Sequence, residues 1–88
     1  MWIICSGEEK LVNTTNALSI FVRDDSSVNK ECFDVVVRFH DDSESRIHRD
    51  MTESESEELF SELVEALRQG KQFFDVNAFL IGEDPTYE

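Results

Sequence analysis

Residues 52–70, TESESEELFSELVEALRQG, decide how this chain is read. Thr52 is a good helix N-cap, and Glu55 three residues on completes a capping box, each side chain reaching the other's backbone N–H. Acids at Glu53 and Glu55 suit the positive end of the helix dipole, and Arg68 suits the negative end. Gly70 supplies the left-handed residue on which helices commonly close. Leu59, Phe60, Leu63, Val64 and Leu67 recur at helical spacing and form one apolar stripe. The spacing predicts a helix over about residues 53–69, docked through that stripe; each such side chain contributes roughly 1.5–3 kcal/mol when buried.

Upstream, the signal changes to alternation. In CFDVVVRFH, residues 32–40, Phe33, Val35, Val37 and Phe39 share one face, while Cys32, Asp34, Val36, Arg38 and His40 share the other. Leu18, Ile20 and Val22 mark a second strand inward on one face. Residues 24–30 read as a loop, Asp41-Asp42-Ser43-Glu44 as a turn, and residues 45–50 as a returning strand with Ile47 inward. Residues 2–6 are a first strand, with a turn at Gly7-Glu8-Glu9 and Lys10-Leu11-Val12 as its hairpin partner. After Gly70, residues 73–76 are extended or a loop, and Asp75 can cap a short helix over residues 76–81. Phe73, Phe74, Val76, Phe79 and Leu80 then close the open end of the core. The expected fold is α+β: an antiparallel sheet of three to five strands, one long C-terminal helix packed on one face and a short terminal helix. Residues 1–82 form a single domain, and residues 83–88 a frayed acidic tail.

Charge limits what the protein can touch. Twenty acids against 8 bases give a net charge of −12 in 88 residues. Free nucleic acid and anionic membranes should repel such a chain, so no direct nucleic-acid or membrane partner is expected; basic proteins and cations are. No apolar run reaches the roughly 18 residues of a membrane span. The opening MWIIC lacks the basic n-region of a secretion signal, which predicts a cytoplasmic protein with Cys5 and Cys32 reduced.

Cys5, Cys32, His40 and His48 invite a zinc reading, which spacing opposes. Eight residues of strand between Cys32 and His40 span about 27 Å, whereas zinc ligands sit roughly 2.0–2.3 Å from the metal. His40 and His48 make a better pair, folded by the hairpin onto one wet face near Arg38, Arg46, Asp34 and Asp50. A metal held across two chains stays open. Neither cysteine has a neighbouring histidine or helix N-terminus to activate it. Phosphate loops, nucleophile elbows and metalloprotease motifs are missing from a chain with only 3 glycines. No enzyme activity, cofactor or metal is expected.

The acids of the helix remain. At about 100° per residue, Glu55, Glu58, Glu62 and Glu65 fall within an 80° sector and a line about 15 Å long. Helix capping explains Glu53 and Glu55 but not Glu58, Glu62 and Glu65, whose mutual repulsion costs a few tenths of a kcal/mol per pair. Asp24-Asp25 and Asp41-Asp42 with Glu44 add two acidic loops. The line is either a solvated face that serves solubility or a surface that imitates nucleic-acid phosphates and fills a basic groove.

In size, charge and acid-lined helix the whole chain resembles small phage and mobile-element inhibitors, anti-CRISPR proteins that block Cas9-type nucleases above all. That resemblance transfers no residue role. It implies an inhibitor binding the positively charged lobes that normally hold guide RNA or target DNA. The candidate partner-binding residues come from the charge pattern instead: Glu55, Glu58, Glu62, Glu65, Asp24, Asp25, Asp41, Asp42 and Glu44. The alternative is a small intracellular interaction or assembly domain, homodimeric through an open sheet edge or Phe73-Phe74, whose acidity serves solubility.

Overall fold

The computed structural model describes residues 1–5, 7 and 9–87. Ser6, Glu8 and Glu88, expected in the first strand, the first turn and the tail, lie outside the described residues. The chain is α+β with its strands divided between two sheets. Strands β1 (Trp2–Cys5) and β2 (Lys10–Asn13) form the expected hairpin; β3 (Ala17–Asp24), β4 (Phe33–Phe39) and β5 (Glu44–Met51) form an antiparallel sheet of their own. The long helix α1 (Glu53–Arg68) follows β5. The chain then returns to the first sheet: β6 (Phe73–Asp75) lies parallel to β1, and after α2 (Val76–Leu80) the strand β7 (Thr86–Tyr87) pairs antiparallel with β6.

Three expectations are corrected here. The strands form two sheets rather than one antiparallel sheet, and the first is mixed, with β6 parallel to β1. The long helix is not C-terminal, because a strand, a second helix and another strand follow it. The tail is not frayed through its described part. Thr86 pairs with Phe74, Tyr87 stacks on Phe73 at 5.1 Å between ring centroids, and the Asp75 N–H bonds the Pro85 carbonyl at 2.7 Å.

One core joins the layers. Ile3, Cys5, Val12 and Phe74 from the first sheet meet Val35, Val37, Ile47 and Met51 from the second, with Leu59, Leu63 and Ala66 of α1 and Val76 of α2. The capping box forms as the sequence predicts: Thr52 Oγ1 accepts the Glu55 N–H at 3.1 Å, and Glu55 Oε1 accepts the Thr52 N–H at 3.0 Å. At the other end Lys71 N–H bonds Ala66 O, Gly70 N–H bonds Leu67 O, and Gly70 sits at φ +71°, a Schellman closure.

The helix is rotated from the expected stripe. It buries Ser56, Leu59, Leu63 and Ala66, while Phe60 is half-buried and Val64 and Leu67 are exposed. At 100° per residue this is a turn of about 50°. Two small residues, Ser56 and Ala66, let the backbone lie close to the sheet, and Ser56 satisfies its hydroxyl on the Glu53 carbonyl at 2.7 Å. A hydropathy stripe cannot register that preference.

Bulges account for the other shifts. Ala17 pairs with Phe39 but Ser19 with Arg38, so the extra residue Leu18 is thrown outward and Ala17 packs on the core in its place. In β5, Met51 pairs with Phe33, His48 with Val35 and Arg46 with Val36, so two residues are extra. Asp50, at φ +60°, lies within the first of these bulges.

Candidate interaction surface

The acid row of α1 divides into engaged and free members. Glu55 is the capping residue, and the Thr52 backbone N–H holds its carboxyl below the ordinary range. Glu65 accepts from Arg68 at 3.1 Å and from Gln69 at 3.0 Å. Glu58 and Glu62 are exposed, and among the described residues no ion pair reaches either.

The acidic loops do not join this row. Asp24 ends β3 with Asp25 just beyond it, and Asp41-Asp42 follows β4, so antiparallel pairing sends them to opposite ends of the sheet. Asp24 accepts the Ser26 N–H at 2.9 Å, and Asp41 accepts the Ser43 hydroxyl at 2.6 Å and N–H at 3.0 Å. Both carboxyls are held low by these bonds, Ser26 N–H acting on Asp24 and the Ser43 hydroxyl on Asp41. They shape turns, and Asp42 occupies the left-handed position of the hairpin at φ +68°. Asp25 is exposed. The nine expected partner-binding residues therefore form separate groups.

Glu44 belongs to a different surface. It accepts two bonds from Arg23, at 2.8 and 2.9 Å, and two from Arg38, Nη2 at 2.9 Å and Nε at 3.2 Å, and these guanidinium groups, Arg23 first, depress its carboxyl. Both guanidinium groups stand 5.3 Å from the Phe21 ring centroid. Phe21 lies across from the buried Val36, on the face of the β3–β4–β5 sheet that points away from α1. Arginine stems and cation–π contacts thus cover apolar residues that no core packing reaches. Beside them Asp34 is buried against Arg46 Nε at 3.4 Å and the Asp50 N–H at 3.3 Å. Alternation had placed Arg38 and Asp34 on this face, but pairing with Phe21, Arg23 and Glu44 depends on the β3 register and was not foreseen.

The histidines are not brought together. His40 is exposed just beyond β4, while His48 is half-buried opposite Val35, about 17 Å of strand away. His48 instead borders a groove of about 300 Å³ with Cys5, Arg49, Val76, Asn77 and Leu80. Cys5 in that groove is buried and its Sγ points to the Ile3 carbonyl at 3.9 Å, the environment of a packing residue. Cys32 donates to Asp50 Oδ1 at 3.0 Å, and that bond raises its pKa, so the thiol stays neutral. Cys32, Asp34 and Asp50 bring possible ligand atoms within 4.8 Å of one another. Arg46, the Asp50 N–H and Lys30 already engage the carboxylates, which accounts for the cluster without an ion.

A second surface escaped the sequence reading. On the first sheet Ile3, Cys5, Val12 and Phe74 face the core, so Trp2, Ile4, Leu11, Phe73 and Tyr87 share the opposite face. Every residue from Trp2 to Cys5 is apolar, so alternation gave no signal. Phe74 itself is buried and both edges of β6 are paired, so of Phe73-Phe74 only Phe73 reaches this outer face.

No described helix is long and apolar enough to cross a membrane. No protein-family model, curated protein or solved structure matched the chain.

Proposed function

We propose that the chain is a non-enzymatic, acidic, protein-binding inhibitor acting in a host cell cytoplasm. It occupies a basic surface of a nucleic-acid-handling partner, and a CRISPR nuclease of the Cas9 type is the case its anti-CRISPR resemblance singles out. One observation carries this reading. Three of the chain's arginines lie on the sheet face turned away from α1, where Arg23 and Arg38 share Glu44 and Arg46 pairs with Asp34, leaving Glu58 and Glu62 exposed on the helix with only Arg68 as a base within it. A groove built to hold phosphates would meet an anionic helix edge whose charges are set at about 6 Å intervals along the axis. Approach would be steered by the field of the whole chain.

The test is DNA cleavage by a panel of purified CRISPR nucleases, with wild-type chain and with Glu58→Gln/Glu62→Gln. Glu55 and Glu65 are left alone because one caps the helix and the other pairs with Arg68. The reading expects at least one nuclease to be inhibited, with the double variant weaker and its salt dependence flatter. If every nuclease cleaves normally, or if the variant inhibits as well as wild type at all salt concentrations, the proposal fails.

A further inference from the structure

We infer that the outer face of the β2–β1–β6–β7 sheet is a self-association surface, on which a second copy of this chain packs face to face. The rows Asn13–Trp2–Phe73–Tyr87 and Leu11–Ile4–Asp75 run across it. Trp2 is 40% exposed, Leu11 61% and Tyr87 47%, and Phe73 and Tyr87 are already stacked. An apolar face centred on Trp, Phe and Tyr has the make-up of an interface core.

Charge selects the occupant. Two chains of −12 repel wherever their carboxylates meet. The only carboxylate in these rows, Asp75, is turned to cap α2, accepting the Asn77 N–H at 3.0 Å and the Ala78 N–H at 3.4 Å. Among the described residues, the acids nearest these rows in sequence, Glu9 and Asp84, lie outside the strands; Glu88, next to Tyr87, is outside the described residues. Among the described residues this is therefore a place where two copies can approach without opposing charges, whereas a basic partner gains no attraction there. The face continues into a shallow groove of about 400 Å³ lined by Trp2, Lys71 and Leu67, one of the exposed apolar residues of α1.

Area agrees with a pair of copies. With aromatic side chains burying about 150–250 Å² when fully covered, the exposed fractions of this face sum to about 400 Å² per copy. A two-fold pair would bury about 800 Å², the size of a weak, transient interface, so association belongs at roughly 100 μM. Salt screens the repulsion between the acidic bodies and should tighten the dimer. Binding of a basic partner through α1 weakens with salt, so the two readings fail separately.

Sedimentation equilibrium and tryptophan fluorescence test this together, because Trp2 is the chain's only tryptophan. The apparent mass should rise with concentration from 10.2 kDa towards twice that. Trp2 emission should shift to shorter wavelength along the same curve, and the midpoint should fall to lower concentration in about 0.5 M salt. Leu11→Glu and Tyr87→Glu, both at exposed positions, should each raise that midpoint at least tenfold while melting like the wild type. Leu18→Glu, on the separate β3 edge, should leave it unchanged. A wild-type chain that stays monomeric to about 1 mM, a dimer that survives both face variants, or one abolished by Leu18→Glu overturns the inference.

Discussion

Leu63→Ala against Phe60→Ala is the sharpest test of how α1 is seated. Leu63 is fully buried in the core cluster, whereas Phe60 is half-buried and stands outside it. Removing the Leu63 side chain strips its transfer free energy and leaves a cavity between α1 and the β3–β4–β5 sheet, which costs about 2–5 kcal/mol. Phe60→Ala returns only part of a ring to water, about 1–2 kcal/mol. A domain of this length holds roughly 4–13 kcal/mol in total, so the first change removes a large share of it. At about 4–8 °C per kcal/mol, Leu63→Ala should lower Tm by roughly 8–40 °C and Phe60→Ala by about 4–16 °C. Urea denaturation followed by circular dichroism reads the same difference as a shift in midpoint at constant slope. Should Phe60→Ala prove the more damaging, the helix is turned the other way and the larger stripe of the sequence, not the Ser56–Ala66 side, faces the sheet.

Asp34→Ala should cost about 1–3 kcal/mol, because the Asp50 N–H of the β5 bulge loses its acceptor while the half-exposed Arg46 can turn to water; amide exchange at Asp50 should be faster in the variant than in the wild type, and unchanged exchange would show that Asp34 does not pin the bulge. The acid limb of stability follows from the depressed carboxyls of Asp24, Asp41, Glu44, Glu55 and Asp84, whose ordinary values are 3.8 for aspartate and 4.5 for glutamate. A folded pKa below the unfolded one contributes stability that is present above the unfolded value and lost as pH falls through the folded value. Tm should therefore be level above about pH 5 and decline below about pH 4, and a Tm that rose on acidification would contradict the sign.

How much was legible depended on whether a signal was local. The capping box at Thr52 and Glu55, the Gly70 closure, the Asp75 cap and the Lys10–Asn13 hairpin are each written within a few residues, and each forms. Parallel pairing of β1 with β6 joins residues about seventy positions apart through a three-residue strand, and nothing near Phe73 announces it. The bulges at Leu18 and in β5 were hidden for a related reason. Period-2 reading assumes an unbroken ladder, so one inserted residue sends Leu18 outward and moves His48 off the wet face. Among the site residues, the exposure of Glu58 and Glu62 followed from helical phase alone. Capture of Glu44 by Arg23 and Arg38 required a register that spans three strands.

Solubility by itself does not explain where the helix carries its acids. Ser54 and Ser61 are exposed, as Glu58 and Glu62 are, and net charge would be the same whichever positions held the carboxylates. A transposition separates position from charge. Glu62→Ser with Ser61→Glu keeps the chain at −12 and moves one carboxylate about 100° around α1, out of the Glu58–Glu62 line. The moved charge gains one more like-charged neighbour at helical spacing than Glu62 had, which costs only a few tenths of a kcal/mol, so the fold should melt within a few degrees of wild type. Were the acids present for solubility alone, inhibition of a susceptible nuclease would be untouched. If the row is read by its partner, the transposed chain should lose affinity about as far as Glu58→Gln/Glu62→Gln does, at unchanged net charge. Equal inhibition by transposed and wild-type chains would reduce the row to a hydrated surface.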